Sequence, residues 1–209
     1  MAKQAKRQPA RTRGNILAAA TAEFAAHGLA GARVDEIAAR AGANKRMIYQ
    51  YFGNKEALWL TVLERVYATM REEERTLTVA DMKPVDGMRW LMEFNIRFCG
   101  THPEFIALLA GENLNRAKYL RRSASVPKLY SPLLAMIDDL LRRGEREGVF
   151  RKGVDAVDLY ITIASLGYFY YSNIHTLSAI FDRDLSAPVA RAARERHVVD
   201  VLLGYLRPA

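Results

Sequence analysis

The chain has little cysteine and no long apolar run, and each absence excludes a class of protein. Cys99 is the only cysteine in 209 residues, so no disulfide can form within one chain, and we interpret it as one small buried residue in a reducing compartment. No apolar stretch approaches the roughly 18 to 20 residues that a membrane-spanning helix requires. No signal peptide is evident before Arg11. We therefore expect a cytoplasmic protein with no membrane partner.

The usual motifs of catalysis and metal binding are also absent. The histidines are scattered, with no pair at i, i+4 and no cysteine partner, so the spacing of a zinc site is missing. A glycine-rich phosphate loop and a Gly-x-Ser-x-Gly motif are missing too. We predict no metal, no cofactor and no enzymatic activity. An enzyme with an attached DNA-binding module would need titratable groups that converge in a cleft. No such group of residues can be identified in the sequence.

Positive charge is concentrated at the start of the chain. The net charge is +8, and residues 1–57 hold ten Lys and Arg against four Asp and Glu. Such asymmetry predicts a polyanionic partner, either nucleic acid or, less well supported, an anionic membrane. Residues 1–11 are basic and almost without apolar side chains, so we expect a disordered arm. That arm either settles along DNA or is an uninvolved tail.

Residues 34–52, VDEIAARAGANKRMIYQYF, have the pattern of two short helices joined by a tight turn. The apolar residues of the first helix recur at i, i+3, i+4 and i+7 from Val34. Gly42 suits the left-handed position after a helix, and Asn44 suits the N-cap of the next. A turn of about three residues is typical of a helix-turn-helix, whose second helix enters the DNA major groove.

The flanking segments predict further helices around this motif. Residues 12–27 have helical periodicity and are followed by Gly28, so we expect a helix that covers the back of the motif. Asn54 can cap another helix, which continues to about Glu74 and is long enough to connect two domains. We therefore predict a DNA-binding domain over residues 12–57 and a connecting helix over 58–75.

The run from Ile16 to Leu63 resembles the DNA-binding domain of the tetracycline-repressor (TetR) family of bacterial transcription regulators. It departs from the family pattern at two points. Arg33 stands where members often have a capping Thr that also touches phosphate; Arg33 can reach phosphate but cannot cap. Ala43-Asn44 replaces the usual Val-Ser of the turn and keeps a capping group. The residues that carry the resemblance are Phe24, Gly28, Ile37, Ala38, Ala41, Gly42, Tyr49, Tyr51, Phe52, Lys55, Glu56 and Leu58.

The resemblance implies which side chains contact DNA. Tyr49, Tyr51 and Lys55 would contact the phosphate backbone, and Asn44, Lys45, Arg46 and Gln50 would be nearest the bases. The chemistry agrees, because Lys and Arg can bind guanine O6 and N7 and Gln can bind adenine N6 and N7. Each of these residues, and Arg33, has the alternative interpretation of a solvated surface group.

Residues 76–209 show helical periodicity punctuated by prolines and no strand-like alternation. We predict helices over residues 85–99, 103–122 (with a break near Gly111), 127–147, 155–173 with a continuation to Phe181, and 187–206. The resemblance implies a helical domain for ligand binding and dimerisation. The expected fold is therefore all-α, with an N-terminal three-helix helix-turn-helix domain and a larger C-terminal helical bundle.

Aromatic and polar residues of this region are candidates to line an effector pocket. Four consecutive aromatics, residues 168–171, cover the circumference of one helix, which predicts burial on most sides. The alternative interpretation is bundle core and dimer seam. We also expect the last helix to bring Val198, Val199, Leu202, Leu203 and Leu206 to a dimer interface. The candidate ligand-binding residues are Trp90, Phe94, Phe98, Asn113, Arg116, Tyr168, Tyr171 and His175.

The function predicted from these observations is a homodimeric regulator that binds a palindromic DNA operator and is released from it by an unidentified small molecule. The alternative is a DNA-binding regulator or architectural protein with no small-molecule ligand.

Overall fold

The computed structural model describes residues 2–74 and 79–208, and no strand occurs in these ranges. The absence of strands there and the helical content confirm the predicted all-α fold class. Short 3-10 turns occupy Val79–Asp81 and Leu120–Arg122. The α-helices of the described ranges are α1 (Ala2–Gly31), α2 (Val34–Ala41), α3 (Lys45–Phe52), α4 (Lys55–Glu74), α5 (Pro84–Thr101), α6 (Pro103–Leu114), α7 (Val126–Arg146), α8 (Ala156–Ser172), α9 (Ile174–Phe181) and α10 (Pro188–Leu206).

The chain divides into two compact units. The first comprises Met1–Thr69 and Glu104–Pro127, and the second comprises Met70–Pro103 and Lys128–Ala209. Helix α4 therefore contributes to both units, in line with its expected role as a connector. Helix α6 belongs to the unit of the helix-turn-helix, although the sequence groups it with residues 76–209.

Helix α1 begins at Ala2 and so extends through the segment for which the sequence predicts a disordered arm. That segment is rich in Ala, Lys, Gln and Arg, which have high helix propensity, a property that a count of charges does not weigh. Gly28 interrupts the helical backbone at φ 64° and ψ 177°, a conformation that glycine adopts at little steric cost. The break expected at Gly28 is thus present.

The two helices of the predicted motif, α2 and α3, have the expected caps. Gly42 follows α2 in the left-handed conformation at φ 61°, and its N–H donates to the carbonyl of Ala39 at 3.2 Å. The next N–H, of Ala43, donates to Ala38 at 3.0 Å, which completes a Schellman motif. Asn44 caps α3 by accepting a hydrogen bond from the N–H of Met47 at 2.9 Å. The turn chemistry predicted from sequence is confirmed.

The core of the first unit is centred on an aromatic pair. The indole of Trp59 on α4 meets the ring of Phe24 on α1 edge to face, with centroids 5.2 Å apart. Both side chains are almost fully buried, as are Ile37 of α2 and Ile48 of α3. An edge-to-face pair of this kind stabilises by about 0.5–1.5 kcal/mol beyond the burial of its area. The helix that follows the motif is therefore fixed to the helix that precedes it.

A buried carboxylate ties α6 to this core. Glu112 is 2% exposed, and its Oε2 accepts from the Trp59 indole N–H at 2.8 Å. Its Oε1 accepts from the backbone N–H groups of Tyr119 and Leu120 at 2.9 and 2.8 Å. Three donors satisfy the charge, as a buried carboxylate requires. Residues far apart in sequence are thereby held to one side chain.

The helix predicted over residues 103–122 is interrupted, but a few residues later than expected. The break expected near Gly111 falls at Leu114, and the chain then turns through Arg116 and Ala117, whose φ values are 54° and 55°. Gly111 has a packing role, because a Cβ there would lie 3.1 Å from the Trp59 ring. The absence of a side chain at Gly111 lets α6 approach the indole closely.

The second unit has a core built from α5, α7, α8 and α10, whose ends lie within two residues of the predicted ones. Gly167 lets α8 approach α5, since a Cβ there would meet Asn95 Oδ1 at 3.3 Å and the Ile96 backbone at 3.4 Å. Cys99 is buried in the same region, and burial raises its pKa to about 12. The cysteine is the small buried residue that the sequence predicts.

One prediction about α10 is wrong. The apolar residues assigned to a dimer seam, Val198, Val199, Leu202, Leu203 and Leu206, pack into the core of their own unit. Periodicity identifies an apolar face but does not say which apolar surface covers it.

Within the described ranges no helix is both long enough and apolar enough to cross a bilayer.

Candidate nucleic-acid interface and effector residues

Helix α3 presents an exposed polar face opposite a buried apolar one. Ile48 and Phe52 point into the core of the first unit, while Lys45, Arg46, Tyr49 and Gln50 are exposed. This division confirms the predicted orientation of the helix. Cations, an amide and a phenol on one accessible face have the donors and acceptors that phosphates and base edges require.

The residues that flank α3 are anchored by the backbone. Asn44 is exposed while its side chain holds the N-terminus of α3. Asn54 caps α4 by accepting from the N–H of Ala57 at 2.8 Å. Lys55, in the first turn of α4, donates through Nζ to the carbonyl of Ala30 at 3.2 Å. Tyr51 is half-buried against the ring of Phe52, with centroids 6.3 Å apart.

Lys45 is paired within the motif. Its Nζ lies 3.1 Å from Oδ1 and 3.2 Å from Oδ2 of Asp35 on α2. The two side chains are 49% and 61% exposed, so the solvent screens the pair and its strength is modest. A phosphate oxygen at this position would compete with the Asp35 carboxylate for the same ammonium group.

Arg33 stands before α2 in extended conformation and makes no side-chain cap, as expected. Its backbone N–H donates instead to Oε1 of Glu23 at 3.1 Å. Glu23 is buried on α1, and its carboxylate also lies 3.6 Å from Nη2 of Arg40 and 3.4 Å from Nδ1 of His27. Sequence reasoning missed Glu23. The signal was available, because Glu23 falls at i+7 from Ile16 on the apolar face of α1, where an acid needs partners.

Three of the aromatic effector candidates form a row along α5. The rings of Trp90 and Phe94 stack with centroids 5.3 Å apart, and Phe98 follows at 5.9 Å. His102 extends the row by stacking on Phe98 at 4.0 Å. The spacing i, i+4, i+8 places these side chains on one helical face. Phe98 is buried, whereas Trp90 and Phe94 are partly exposed.

The candidates on α8 and α9 lie in the second unit as well. Tyr168 and Tyr171 are partly buried, and burial raises the pKa of both phenols, so they are neutral hydroxyl groups near pH 7. The Arg191 guanidinium lies over the Tyr171 ring at 5.7 Å. His175 is exposed.

Asn113 and Arg116 belong to the first unit and are exposed. Asn113 donates to the carbonyl of Leu109 on its own helix at 2.9 Å, and Arg116 occupies the positive-φ turn after α6. The neighbouring residue Glu112, and not Asn113 or Arg116, makes the buried contacts of this segment. The effector roles of the eight candidates stay a prediction. No cluster of three potential metal ligands occurs in the described part of the chain.

Two regions of the chain match the N-terminal and the C-terminal domain of one protein family. Residues 16–62 match "Bacterial regulatory proteins, tetR family", and residues 84–202 match "Tetracyclin repressor-like, C-terminal domain". The chain belongs to the TetR family. This family comprises transcription regulators and not enzymes. Its members bind DNA and act as dimers, and some bind small-molecule effectors.

Relatives and solved structures extend the match over nearly the whole chain. The HTH-type transcriptional repressor NicS of Pseudomonas putida is 38% identical over 200 residues, which cover 96% of this chain and 94% of the repressor. The HTH-type transcriptional repressor SCO4008 of Streptomyces coelicolor is 34% identical over 165 residues, with 78% and 79% coverage. The crystal structure of the transcriptional regulator SCO4942 of Streptomyces coelicolor superposes with a TM-score of 0.70 at 27% identity, covering 93% of this chain and 98% of SCO4942.

Removing the carboxylate of Asp35, the partner of Lys45, tests whether the Lys45 ammonium group contributes to DNA binding. We expect Asp35→Asn to raise affinity for a random-sequence duplex by roughly 1.4-fold to fivefold, because an exposed ion pair contributes about 0.2–1 kcal/mol. On random-sequence DNA, where no guanine is selected, the freed Lys45 ammonium group should neutralise a phosphate instead, and the plot of log K against log salt should steepen by up to about one unit. Fluorescence anisotropy at several salt concentrations measures both quantities.

The matched control is Glu36→Gln, which removes a neighbouring exposed carboxylate of the same helical turn. It should raise affinity less than Asp35→Asn. Equal effects of the two substitutions, or weaker binding by Asp35→Asn, would contradict a role for the Lys45 ammonium group at the DNA.

Proposed function

We propose that the protein is a homodimeric repressor that binds a near-palindromic DNA operator in the cytoplasm and leaves it when a small molecule binds. The observation that carries the proposal is the capped helix α3 with its exposed polar face. The similarity to two named repressors supports repression of transcription and not activation.

The proposed DNA-binding residues fall into two groups, those that would contact bases and those that would contact phosphates. Arg46 and Lys45 suit guanine O6 and N7, and Gln50 suits adenine N6 and N7. Asn44 lies beside them at the N-terminus of α3. Tyr49, Tyr51, Lys55 and Arg33 would contact phosphates, which set the register of the protein but carry no sequence information. The N-terminus of α4, next to Lys55, adds a favourable helix dipole for an anion.

Arg46→Ala tests base recognition by α3. It should weaken binding to the operator by about 1–3 kcal/mol, or roughly fivefold to 150-fold, and relax specificity at one base pair of each half-site. Binding to random-sequence DNA should change much less. The measurement is a gel-shift titration against the operator and its single-base variants, with the operator first selected from genomic fragments.

Arg142→Ala is the matched control, because Arg142 is an exposed arginine of the second unit. It should leave both affinity and specificity unchanged. Operator binding by Arg46→Ala with wild-type affinity and specificity would show that α3 does not read bases through this side chain.

The dimer surface that we propose lies on the outer faces of α8 and α10. Each of these helices keeps large apolar side chains in solvent, four residues apart on α10 and eight apart on α8, opposite the face that enters the core of the unit. Val201 and Tyr205 of α10 are 48% and 50% exposed, and Ile161 and Phe169 of α8 are 54% and 57% exposed. Apolar stripes of this kind on a soluble domain are typical of an interface. Two helices from each subunit would form a four-helix seam.

Val201→Glu tests this surface. A charge at the centre of an apolar seam costs several kcal/mol when buried without a partner, so we expect monomers in analytical ultracentrifugation. Operator affinity should fall by at least tenfold, because two half-sites no longer bind together. Ile180→Glu on α9, at a residue that is 70% exposed, should leave the dimer intact. A dimeric Val201→Glu variant would place the interface elsewhere.

Release by a ligand requires that the ligand bind the DNA-competent and released states with different affinity. Helix α4 is the covalent path for such coupling, because its residues up to Thr69 belong to the first unit and those from Met70 to the second. The Glu112 carboxylate fixes the α4 indole to α6 within the first unit. The alternative is a regulator without a ligand, and it predicts operator affinity that no small molecule changes.

A further inference from the structure

One arginine of the second unit is buried with part of its guanidinium unsatisfied. Arg71, near the end of α4, is 2% exposed. Its Nη1 lies 2.9 Å from Oε2 of Glu74 in a buried ion pair. Its Nε and Nη2 are shielded from solvent too, and neither has a hydrogen-bond acceptor in the described structure. Buried donors without acceptors are rare because their desolvation is costly. They favour an acceptor that the described residues do not supply.

The geometry of the unsatisfied atoms restricts what that partner can be. In a planar guanidinium the N–H groups of Nε and Nη2 lie along one edge and point in nearly the same direction. Two parallel donors match the two oxygens of a carboxylate, which accepts both in a bidentate pair. Glu74 pairs with Nη1, so the Nε–Nη2 edge of Arg71 is available to a second carboxylate. A compact point charge would not need this fork.

One tyrosine ring covers the Arg71 guanidinium, and a second tyrosine packs on the first. The Arg71 guanidinium lies over the ring of Tyr130 at 5.0 Å, and Tyr160 Oη donates to Tyr130 Oη at 3.3 Å. The two tyrosine rings pack edge to face with centroids 5.6 Å apart. Burial raises the pKa of Tyr130, so its hydroxyl stays protonated near pH 7. The surroundings combine aromatic surface with hydroxyl groups, which suits a small planar acid better than a long aliphatic one.

A second arginine of the same unit provides the comparison. Arg143 on α7 has its Nε 2.9 Å from Oδ2 of Asp139, and its Nη1 donates to the carbonyl of Met82 at 2.8 Å. Its Nε–Nη2 edge is therefore engaged at Nε by a carboxylate of the chain itself. Nε and Nη2 of Arg143 likewise lack an acceptor in good hydrogen-bond geometry among the described residues. Arg71 differs because its carboxylate partner, Glu74, lies at Nη1 and not at the Nε–Nη2 edge.

We propose that the second unit binds a small effector that carries a carboxylate, and that the Nε–Nη2 edge of Arg71 holds this group. The inference rests on the proposed function, since it names the chemical class of the effector. Arg71 belongs to α4, the helix that both units share. A carboxylate held by Arg71 therefore acts directly on the helix that continues into the DNA-binding unit.

The test compares acids with amides of the same shape on the full-length protein. Probes are benzoate, phenylacetate and salicylate, each paired with its carboxamide. Thermal shift and isothermal titration should show saturable binding of at least one acid, with its amide at least tenfold weaker. Arg71→Lys keeps the charge but loses the fork, so it should weaken that acid by at least tenfold. Arg143→Lys should leave it unchanged.

A further variant separates binding from folding. Arg71→Met/Glu74→Gln removes both members of the buried pair, and replacing such a pair is often neutral for stability. It should keep the wild-type Tm within a few degrees, bind operator DNA normally and lose the acid response. Acids and amides that bind equally, no saturable acid in the panel, or an Arg71→Lys variant with full acid affinity would each overturn the proposal. Operator binding by the wild type is scored separately, and its loss would count against the proposed function alone.

Discussion

The carboxylate of Glu112 connects three parts of the first unit that are distant in sequence. It accepts the indole N–H of Trp59 on α4 and two backbone N–H groups of the segment after α6. A hydrogen bond to a charged group contributes about 1.5–3 kcal/mol, and leaving one of its buried partners unsatisfied costs a comparable amount. Since Trp59 also packs on Phe24 of α1, displacing Glu112 would disturb the support of the helix-turn-helix.

In the function that we propose, the effector controls the position of α4. The first turn of α4 follows α3 directly after the Gly53 turn and holds Lys55 near the proposed DNA face, while its last turn carries Arg71. A rigid helix transmits a displacement at one end to the other, provided that each end has two alternative sets of contacts. A small acid at Arg71 would supply one such alternative.

The motif was predictable from sequence because its determinants are local. Gly42 and Asn44 fix the turn through backbone conformation and a cap only three residues away, so no distant residue has to be known. The same holds for the outer face of α3, which follows from helical periodicity around Ile48 and Phe52. The family could be recognised for the same reason.

The contacts that sequence reasoning missed depend on distant residues. The role of Glu112 could not be predicted, because nothing in the sequence joins it to Trp59, which lies 53 residues earlier. The face of α10 that contains Val198 was assigned to the wrong partner, since its own core and a second subunit are equally apolar surfaces. Arg71 lies in a run of charged residues that is typical of a solvated helix end, yet it is buried.

We infer that α6 and the segment after it move with the DNA-binding helices, because Glu112 holds them together. Hydrogen exchange of the Tyr119 and Leu120 amides, measured with and without operator DNA, tests this claim directly. We expect slow exchange of both amides in the wild type, further slowing with DNA in parallel with α3, and fast exchange that DNA does not change in Glu112→Ala, which removes the acceptor of both N–H groups. It is contradicted if both amides exchange like an open loop in the wild type, or if DNA protects only α2 and α3.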